Sequence, residues 1–382
     1  MTQRIGFCCK WLDGPSQIDG IPQKDTARQY NTGTTTITWL NRQTRAKAEE
    51  KLWSLVKDNI EACRRLVKRV AELPENLRMV RLSSDILPAY TEPTWSYFYQ
   101  LPDVKLYCER NFVKIGQLAR EHNVRLSFHP GQFCVLASDN DDIVARSIEE
   151  FEYHVNMARY MGYGNDWHDH GFKINVHIAG RRGPQGIVNA LQKLSPEARN
   201  LITIENEENK YGIDDALSLV DHVAIVLDVH HHWVREGTYI QANEERVQRV
   251  QDSWRGVRPV LHYSISREDI VTNHAIDARP NMELLLESGH KKQKLRAHSN
   301  FMWNRAVNQY VSEFWPRFDI QVESALNSGL ELGRVTLRVA QEEILGEGNF
   351  IAEQIAQVPS GTSSEQVGAM VMKIRNQFGI QE

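Results

Sequence analysis

The feature of this chain that most limits its fold is an alternation of short apolar runs with longer amphipathic stretches. The runs are rich in Val, Ile and Leu, which is typical of strands buried on both faces. The stretches place apolar residues three and four positions apart, the spacing of an amphipathic helix. Eight runs stand out, at residues 4–9, 79–84, 124–129, 172–178, 201–206, 224–230, 258–266 and 318–324. Eight strands alternating with helices predict an α/β fold, an eight-stranded parallel (β/α)8 barrel of the TIM type.

A doubly wound open sheet is the alternative fold, and it fits less well because no glycine-rich phosphate loop follows any run. We expect residues 1–326 to form the barrel domain. Residues 327–382 contain two stretches of helical pattern around the turn-like PSGTSS, and they predict a helical C-terminal extension of unknown role.

The composition limits the class of protein. The chain is 41% apolar and 25% charged, as soluble globular proteins are. No apolar run is long enough for a transmembrane helix, and the N-terminus lacks the pattern of a secretory signal. We therefore expect no membrane association and a cytoplasmic location, close to the nucleoid if the protein is bacterial. The net charge of −4 excludes a uniformly basic nucleic-acid binder, but it leaves room for a locally basic face.

Six of the eight apolar runs carry His, Asp or Glu at or near their carboxyl ends. In a parallel barrel the carboxyl ends of the strands meet at one rim, so these side chains are predicted to converge there. Mixed imidazole and carboxylate donors suit Mn or Zn better than Mg. Their number suits two or three ions, a type of site that hydrolyses phosphodiesters. The predicted ligands are His129, His177, Glu205, Asp228, His231, His262, His298 and Glu323.

Neighbouring residues are assigned other roles. In DVHHH, Asp228 and His231 flank the end of a strand, while His230 and His232 are predicted to be structural. In ENEEN, Glu207 and Glu208 are predicted to form a solvated acidic loop.

Three further segments bear on a substrate. In HPGQF, Pro130 and Gly131 turn the chain, which would direct Gln132 and Phe133 into a cleft. The aromatic segment 87–100 predicts either a packed aromatic core or a surface for nucleic acid. Basic residues in rim loops predict contacts with phosphates, and Arg181, Lys291 and Lys292 are assigned to the DNA interface. The full set is Arg181, Arg182, Lys291, Lys292, Lys294 and Arg296.

Taken in order, these motifs resemble the UV damage endonuclease family. The resemblance covers residues 1–326 and rests on RIGFCC, RLSSDILP, FHPGQF, INVHIAG, ITIENEE, VLDVHHHW, LHYSISRE, HSNF and QVES. A more distant resemblance is to the endonuclease IV family. The first resemblance implies a metal-dependent repair nuclease that acts on damaged double-stranded DNA. Such enzymes nick the phosphodiester immediately 5′ to a pyrimidine dimer or related lesion and leave a 3′-hydroxyl. It also implies divalent metal ions rather than an organic cofactor, and we expect a monomer.

Carried onto this sequence, the resemblance makes His129 and His177 ligands of one ion, with Glu205 bridging to a second. Asp228, His262 and Glu323 would complete the second site, and His231 and His298 would bind a third ion. Glu205, His231 and His262 are the expected catalytic members of this set. Gln132 and Phe133 match the pair that wedges into the duplex, and Phe7 stands where a tyrosine is frequent.

The chain departs from the family pattern at two positions near the third ion. Val260 stands where some members carry a modified lysine, and Asn300 stands where aspartate is common. Three other functions stay open at this point: cleavage at apurinic sites as the main activity, a metal-dependent sugar isomerase or epimerase of the same barrel type, and a non-catalytic damage sensor.

Overall fold

The structure, a computed structural model, describes residues 2–11, 17–18, 21–22, 27–272, 274–299 and 302–323, with positions 366 and 369. Asn300 lies outside the described residues. The predicted C-terminal extension does so as well, apart from positions 366 and 369. No helix in the described part is both long and apolar enough to cross a membrane.

Eight strands form a closed barrel in the order β1-β10-β9-β8-β7-β6-β5-β4. The strand pairs whose register is known in the barrel are parallel, as between β8 and β9, where Asp228 lies beside His262. This architecture confirms the predicted TIM-type fold. The strands are β1 (Ile5–Cys8), β2 (Gln17–Ile18), β3 (Ile21–Pro22), β4 (Met79–Arg81), β5 (Arg125–Phe128), β6 (Lys173–His177), β7 (Ile202–Glu205), β8 (Ala224–Asp228), β9 (Val260–Tyr263) and β10 (Asp319–Val322), of which β2 and β3 form a separate antiparallel pair.

The α-helices lie between the strands in sequence, in agreement with the predicted alternation. They are α1 (Ile37–Asn41), α2 (Arg45–Ala71), α3 (Pro102–Glu121), α4 (Asp141–Tyr160), α5 (Gly183–Leu191), α6 (Pro196–Leu201), α7 (Ile213–Leu217), α8 (Val229–Glu236), α9 (Glu245–Ser253), α10 (Met282–Glu287), α11 (Lys292–Leu295) and α12 (Arg305–Ser312). Capping explains several boundaries. The Asn140 side chain, for example, accepts hydrogen bonds from the backbone N–H groups of Asp142 and Ile143 at the start of α4.

The chain divides into two compact units, each with its own apolar interior. One contains residues 28–204 and 221–224. Its helix α2 buries Leu52, Val56 and Ile60 and packs against α3. Gly116 of α3 permits close packing, because a Cβ there would lie 1.9 Å from the carbonyl oxygen of Met161. The contact therefore requires glycine.

The other unit contains the described residues of 1–27 and 205–220, and those from 225 onward. Its interior includes the large buried side chains of Trp254 and Trp303, whose N–H groups are hydrogen-bonded. Trp254 Nε1 donates to the Ile225 carbonyl at 2.7 Å, and Trp303 Nε1 donates to the Ser266 carbonyl at 2.8 Å. Burial of these rings therefore carries no unpaired N–H group.

The segment after β8 departs from the sequence prediction. The predicted strand continued to residue 230, but the strand ends at Asp228 and α8 begins at Val229. The Asp228 side chain accepts the backbone N–H of His231 at 2.7 Å and caps this helix. His231 is therefore a residue of the first helical turn, held beside Asp228 at the end of the strand.

Candidate metal centre

Four predicted ligands meet at the ends of neighbouring strands and form what we call the carboxylate cluster: Glu205, Asp228, His262 and Glu323. Each offers one donor atom, and these atoms lie within 4.8 Å of one another. All four residues are buried. His262 Nδ1 lies 3.0 Å from Glu205 Oε2 and 3.1 Å from Glu323 Oε1.

The electrostatics of the carboxylate cluster favour a bound cation. Burial raises the pKa of Asp228 well above its ordinary value, and the nearby Glu205 and Glu323 carboxylates raise it further, against the opposing effect of His231. Asp228 Oδ2 is buried and has no hydrogen-bond partner among the described residues. A divalent cation would relieve the repulsion and satisfy this oxygen, so the residues present fit such an ion.

His129 and His177 form a second group, which we call the histidine pair. Their Nε2 atoms are 3.2 Å apart. His129 Nδ1 lies 2.9 Å from the carbonyl oxygen of Pro130. Since a carbonyl can only accept, Nδ1 carries the proton and Nε2 presents a lone pair, as in a metal-binding histidine.

Helix α4 supports the loop that carries His129. The Ser84 hydroxyl donates to the carbonyl oxygen of His129 at 3.1 Å. The Ser84 carbonyl accepts the hydroxyl of Tyr153 at 2.7 Å, and His154 Nε2 lies 2.9 Å from the Ser84 hydroxyl. Two consecutive residues of α4 therefore fix the serine that contacts His129.

His231 and His298 belong to neither group of donor atoms found among the described residues. His231 Nδ1 lies 3.0 Å from the carbonyl oxygen of Asn206 and 3.4 Å from Glu205 Oε1. Burial lowers the pKa of His231, but the surrounding carboxylates, Asp228 first, outweigh it and raise the pKa to about 9. The His298 ring lies in a loop, 5.9 Å from the His231 ring between centroids.

Glu208 lies beside the candidate metal centre, although its sequence pattern predicts a solvated residue. Its side chain is 15% exposed, its Oε2 lies 3.7 Å from His231 Nε2, and its Oε1 lies 3.3 Å from Arg296 Nη1. The prediction of a solvated residue is therefore wrong for Glu208. Glu207 has a structural role, since it accepts the backbone N–H groups of Lys210 and Tyr211. An acidic residue three positions after a strand-end ligand is the only sequence signal for Glu208.

The predicted DNA-contacting residues differ in exposure. Gln132 and Phe133 are exposed, Phe133 at 85%. Arg181, Lys291 and Lys292 are exposed as well. Phe7 is only 2% exposed and packs edge-on against Trp11. This ring has no surface to offer DNA, and we exclude it from the proposed interface.

The aromatic segment 87–100 forms a packed core, the first of the two predicted alternatives. Trp95, Phe98 and Tyr99 are buried. Trp95 Nε1 donates to Asn41 Oδ1 at 2.8 Å, and the Tyr99 hydroxyl donates to the Pro88 carbonyl at 2.5 Å. The buried rings are therefore already packed within the protein.

The family model described as UV-endonuclease UvdE matches residues 23–324, most of the chain. The chain belongs to the UvdE family. It is 27% identical over 245 residues to the UV DNA damage endonuclease of Bacillus cereus strain G9842, a match that covers 62% of this chain and 73% of that protein. It is 29% identical over 238 residues to the UV DNA damage endonuclease of Halalkalibacterium halodurans, covering 59% of this chain and 69% of that protein.

A solved structure agrees with this assignment at the level of the fold. The crystal structure of SacUVDE matches with a TM-score of 0.62 and 18% identity, over 93% of this chain and 100% of that chain. Together, the UvdE family and its named relatives make the chain an endonuclease with a candidate metal-binding cluster.

Proposed function

We propose that this UvdE-family protein is a metal-dependent DNA repair endonuclease. It nicks damaged duplex DNA immediately 5′ to a UV photoproduct and leaves a 3′-hydroxyl. The observation that carries the proposal is the carboxylate cluster, in which three buried acidic residues and an imidazole lie at strand ends of a barrel of this family. An epimerase or a non-catalytic sensor fits the family assignment less well.

The predicted ligand roles follow from this arrangement. His129 and His177 would hold one ion and Glu205 would bridge to a second, completed by Asp228, His262 and Glu323. His231 and His298 would hold a third ion. Mn or Zn suits this donor set. When bound, such ions supply Lewis acidity for phosphodiester hydrolysis.

The chain's own residues position these ligands and the substrate. The carbonyls of Pro130 and Asn206 accept from the Nδ1 atoms of His129 and His231, which fixes the orientation of both rings. Arg181, Lys291 and Lys292 would contact phosphates without reading sequence.

Recognition of the lesion would rest on the exposed turn after His129. A lesion that weakens stacking and pairing lowers the cost of extruding the damaged bases. Gln132 and Phe133 would then fill the gap left in the base stack.

A nicking assay tests the proposed function. Supercoiled plasmid, either irradiated or intact, is incubated with the purified protein and Mn, with and without chelator. We expect nicking of the irradiated plasmid in the presence of Mn alone, at ends that a polymerase can extend. Equal nicking of both plasmids would contradict lesion recognition. Stronger cleavage of a duplex with an abasic site than of one with a dimer would favour the apurinic-site alternative.

Replacing Phe133 with alanine is expected to reduce the preference for damaged over intact duplex about tenfold. Stacking of a base on an aromatic ring contributes roughly 1–3 kcal/mol, and this contribution is lost. Because the ring is 85% exposed, the melting temperature should not change. Competition binding with dimer-containing and intact duplexes measures the preference. Leu106→Ala, which removes another exposed apolar side chain, is the matched control. An unchanged preference in Phe133→Ala would remove this residue from lesion recognition.

A further inference from the structure

Arg296 lies at the end of α11, one side chain away from a predicted metal ligand. Its Nη1 is 3.3 Å from Glu208 Oε1. The other oxygen of the same carboxylate, Oε2, is 3.7 Å from His231 Nε2. Glu208 therefore lies between the Arg296 guanidinium group and His231. Through this contact the permanent positive charge of Arg296 lies near the candidate metal centre.

The backbone on both sides of Arg296 is held in place. The Ser266 hydroxyl donates to the carbonyl oxygen of Leu295 at 2.5 Å. The backbone N–H of Arg267 donates to the carbonyl oxygen of Ala297 at 3.1 Å. These contacts define the backbone position from which the Arg296 side chain extends.

The side chain itself remains accessible. Arg296 is 44% exposed. Within the described part of the chain, the Arg296 side chain donates from Nη1 to Glu208 Oε1 at 3.3 Å. A guanidinium group carries five N–H donors in a planar fork that matches a pair of phosphate oxygens. Donors therefore remain for an anionic ligand while the contact with Glu208 is kept.

An ordinary surface ion pair in the same chain provides a comparison. Arg64 Nη2 lies 2.8 Å from Glu61 Oε1 one turn away on α2, and the Arg64 side chain is 40% exposed. Exposed pairs of this kind contribute little to stability. The pair of Arg296 and Glu208 differs because its carboxylate also faces His231.

The charge of the surroundings indicates what Arg296 could bind. The carboxylate cluster and Glu208 together concentrate acidic groups at this place, and they would repel an approaching phosphodiester wherever they are not neutralised. A guanidinium group at the edge of such a centre attracts the phosphate. Without this group, the metal ions alone would have to provide that attraction.

We infer that Arg296 is a catalytic residue that binds the phosphodiester at the scissile position, and that Glu208 is its positioning residue. This inference rests on the proposed function, because it assigns the phosphate to that site. Guanidinium hydrogen bonds to the phosphate oxygens stabilise the charge that develops during hydrolysis, while Glu208 holds the guanidinium group through Nη1.

The test combines rate and binding measurements on the full-length protein loaded with Mn. Single-turnover nicking of a dimer-containing duplex is expected to be about 10–100-fold slower in Arg296→Gln at saturating protein, since one preorganised donor is lost. Glu208→Gln should slow the reaction less, and adding it to Arg296→Gln should slow the reaction no further. Guanidinium ion should restore part of the rate of Arg296→Ala. Metal content, measured by elemental analysis, should equal that of the wild type, and Arg64→Gln should nick normally.

The salt dependence of duplex binding tests the phosphate contact independently of hydrolysis. The slope of log binding constant against log salt concentration should be smaller by about 0.9 in Arg296→Gln, because one phosphate contact is lost. If Arg296→Gln shows the smaller slope but the wild-type protein does not nick DNA, the phosphate contact is supported and the proposed hydrolysis is rejected. An Arg296→Gln variant with the wild-type rate and slope would overturn the inference. The inference would also be overturned if Arg296→Gln were slower because it had lost its metal, or if adding Glu208→Gln to Arg296→Gln slowed nicking further.

Discussion

Glu205→Gln is expected to abolish nicking while leaving the binding of damaged duplex largely intact. The two Glu205 oxygens lie 3.0 Å from His262 Nδ1 and 3.4 Å from His231 Nδ1. Glutamine keeps the shape but removes the charge needed to bridge two cations. Removing a residue that only hydrogen-bonds to a metal ligand costs up to about a hundredfold in activity. Loss of a ligand itself should therefore lower the nicking rate by more than about a hundredfold.

Two measurements distinguish this loss from misfolding. The melting temperature of metal-free Glu205→Gln should not fall below that of metal-free wild type, because the variant removes a buried charge from a crowded cluster. Glu245→Gln, an exposed residue in the first turn of α9, is the matched control and should nick at the normal rate. Normal turnover by Glu205→Gln would refute its bridging role.

Removal of metal is expected to stop nicking and to lower the melting temperature, and Mn should restore both. A ligand present at a hundred times its Kd stabilises the folded state by about 2.7 kcal/mol. In the metal-free protein the pKa of Asp228 is raised, by burial first and by the Glu205 and Glu323 carboxylates next. Above pH 3.9, roughly the pKa of aspartate in the unfolded chain, Asp228 keeps its proton in the folded state but loses it on unfolding. The free energy of unfolding of the metal-free protein therefore falls as the pH rises. Stabilisation by Mn should therefore be larger at pH 8 than at pH 5.

Asp228→Asn provides the matched variant for the thermal measurement. Asparagine accepts hydrogen bonds at a helix N-terminus as aspartate does, so the cap of α8 is kept while the charge is lost. At pH 8 the metal-free variant should melt at a higher temperature than metal-free wild type, and Mn should raise that temperature little. An equal increase on adding Mn to both proteins would show that the ion binds elsewhere.

The barrel could be predicted from the sequence because its elements follow from periodicity. Strands buried on both faces give apolar runs, and helices that cover them give apolar residues three and four positions apart. The carboxylate cluster could be predicted from the same pattern, because parallel strands of a barrel end at one rim. Asp228 and His262 fulfil this expectation as neighbours in register.

What could not be predicted depends on single contacts. The early start of α8 is set by one hydrogen bond from the His231 N–H to Asp228. The burial of Glu208 depends on the path of the loop held by Glu207, which apolar spacing does not specify. The resemblance predicted a DNA contact at Phe7, but the 2% exposure of this ring is set by packing against Trp11.

Anomalous scattering from crystals grown with Mn tests the central claim most directly, because it locates the ions themselves. We predict a strong peak among the carboxylate oxygens of Glu205, Asp228 and Glu323 and the ring of His262, with a second peak beside His129 and His177. A map from Mn-saturated crystals without a peak at the carboxylate cluster would contradict the account.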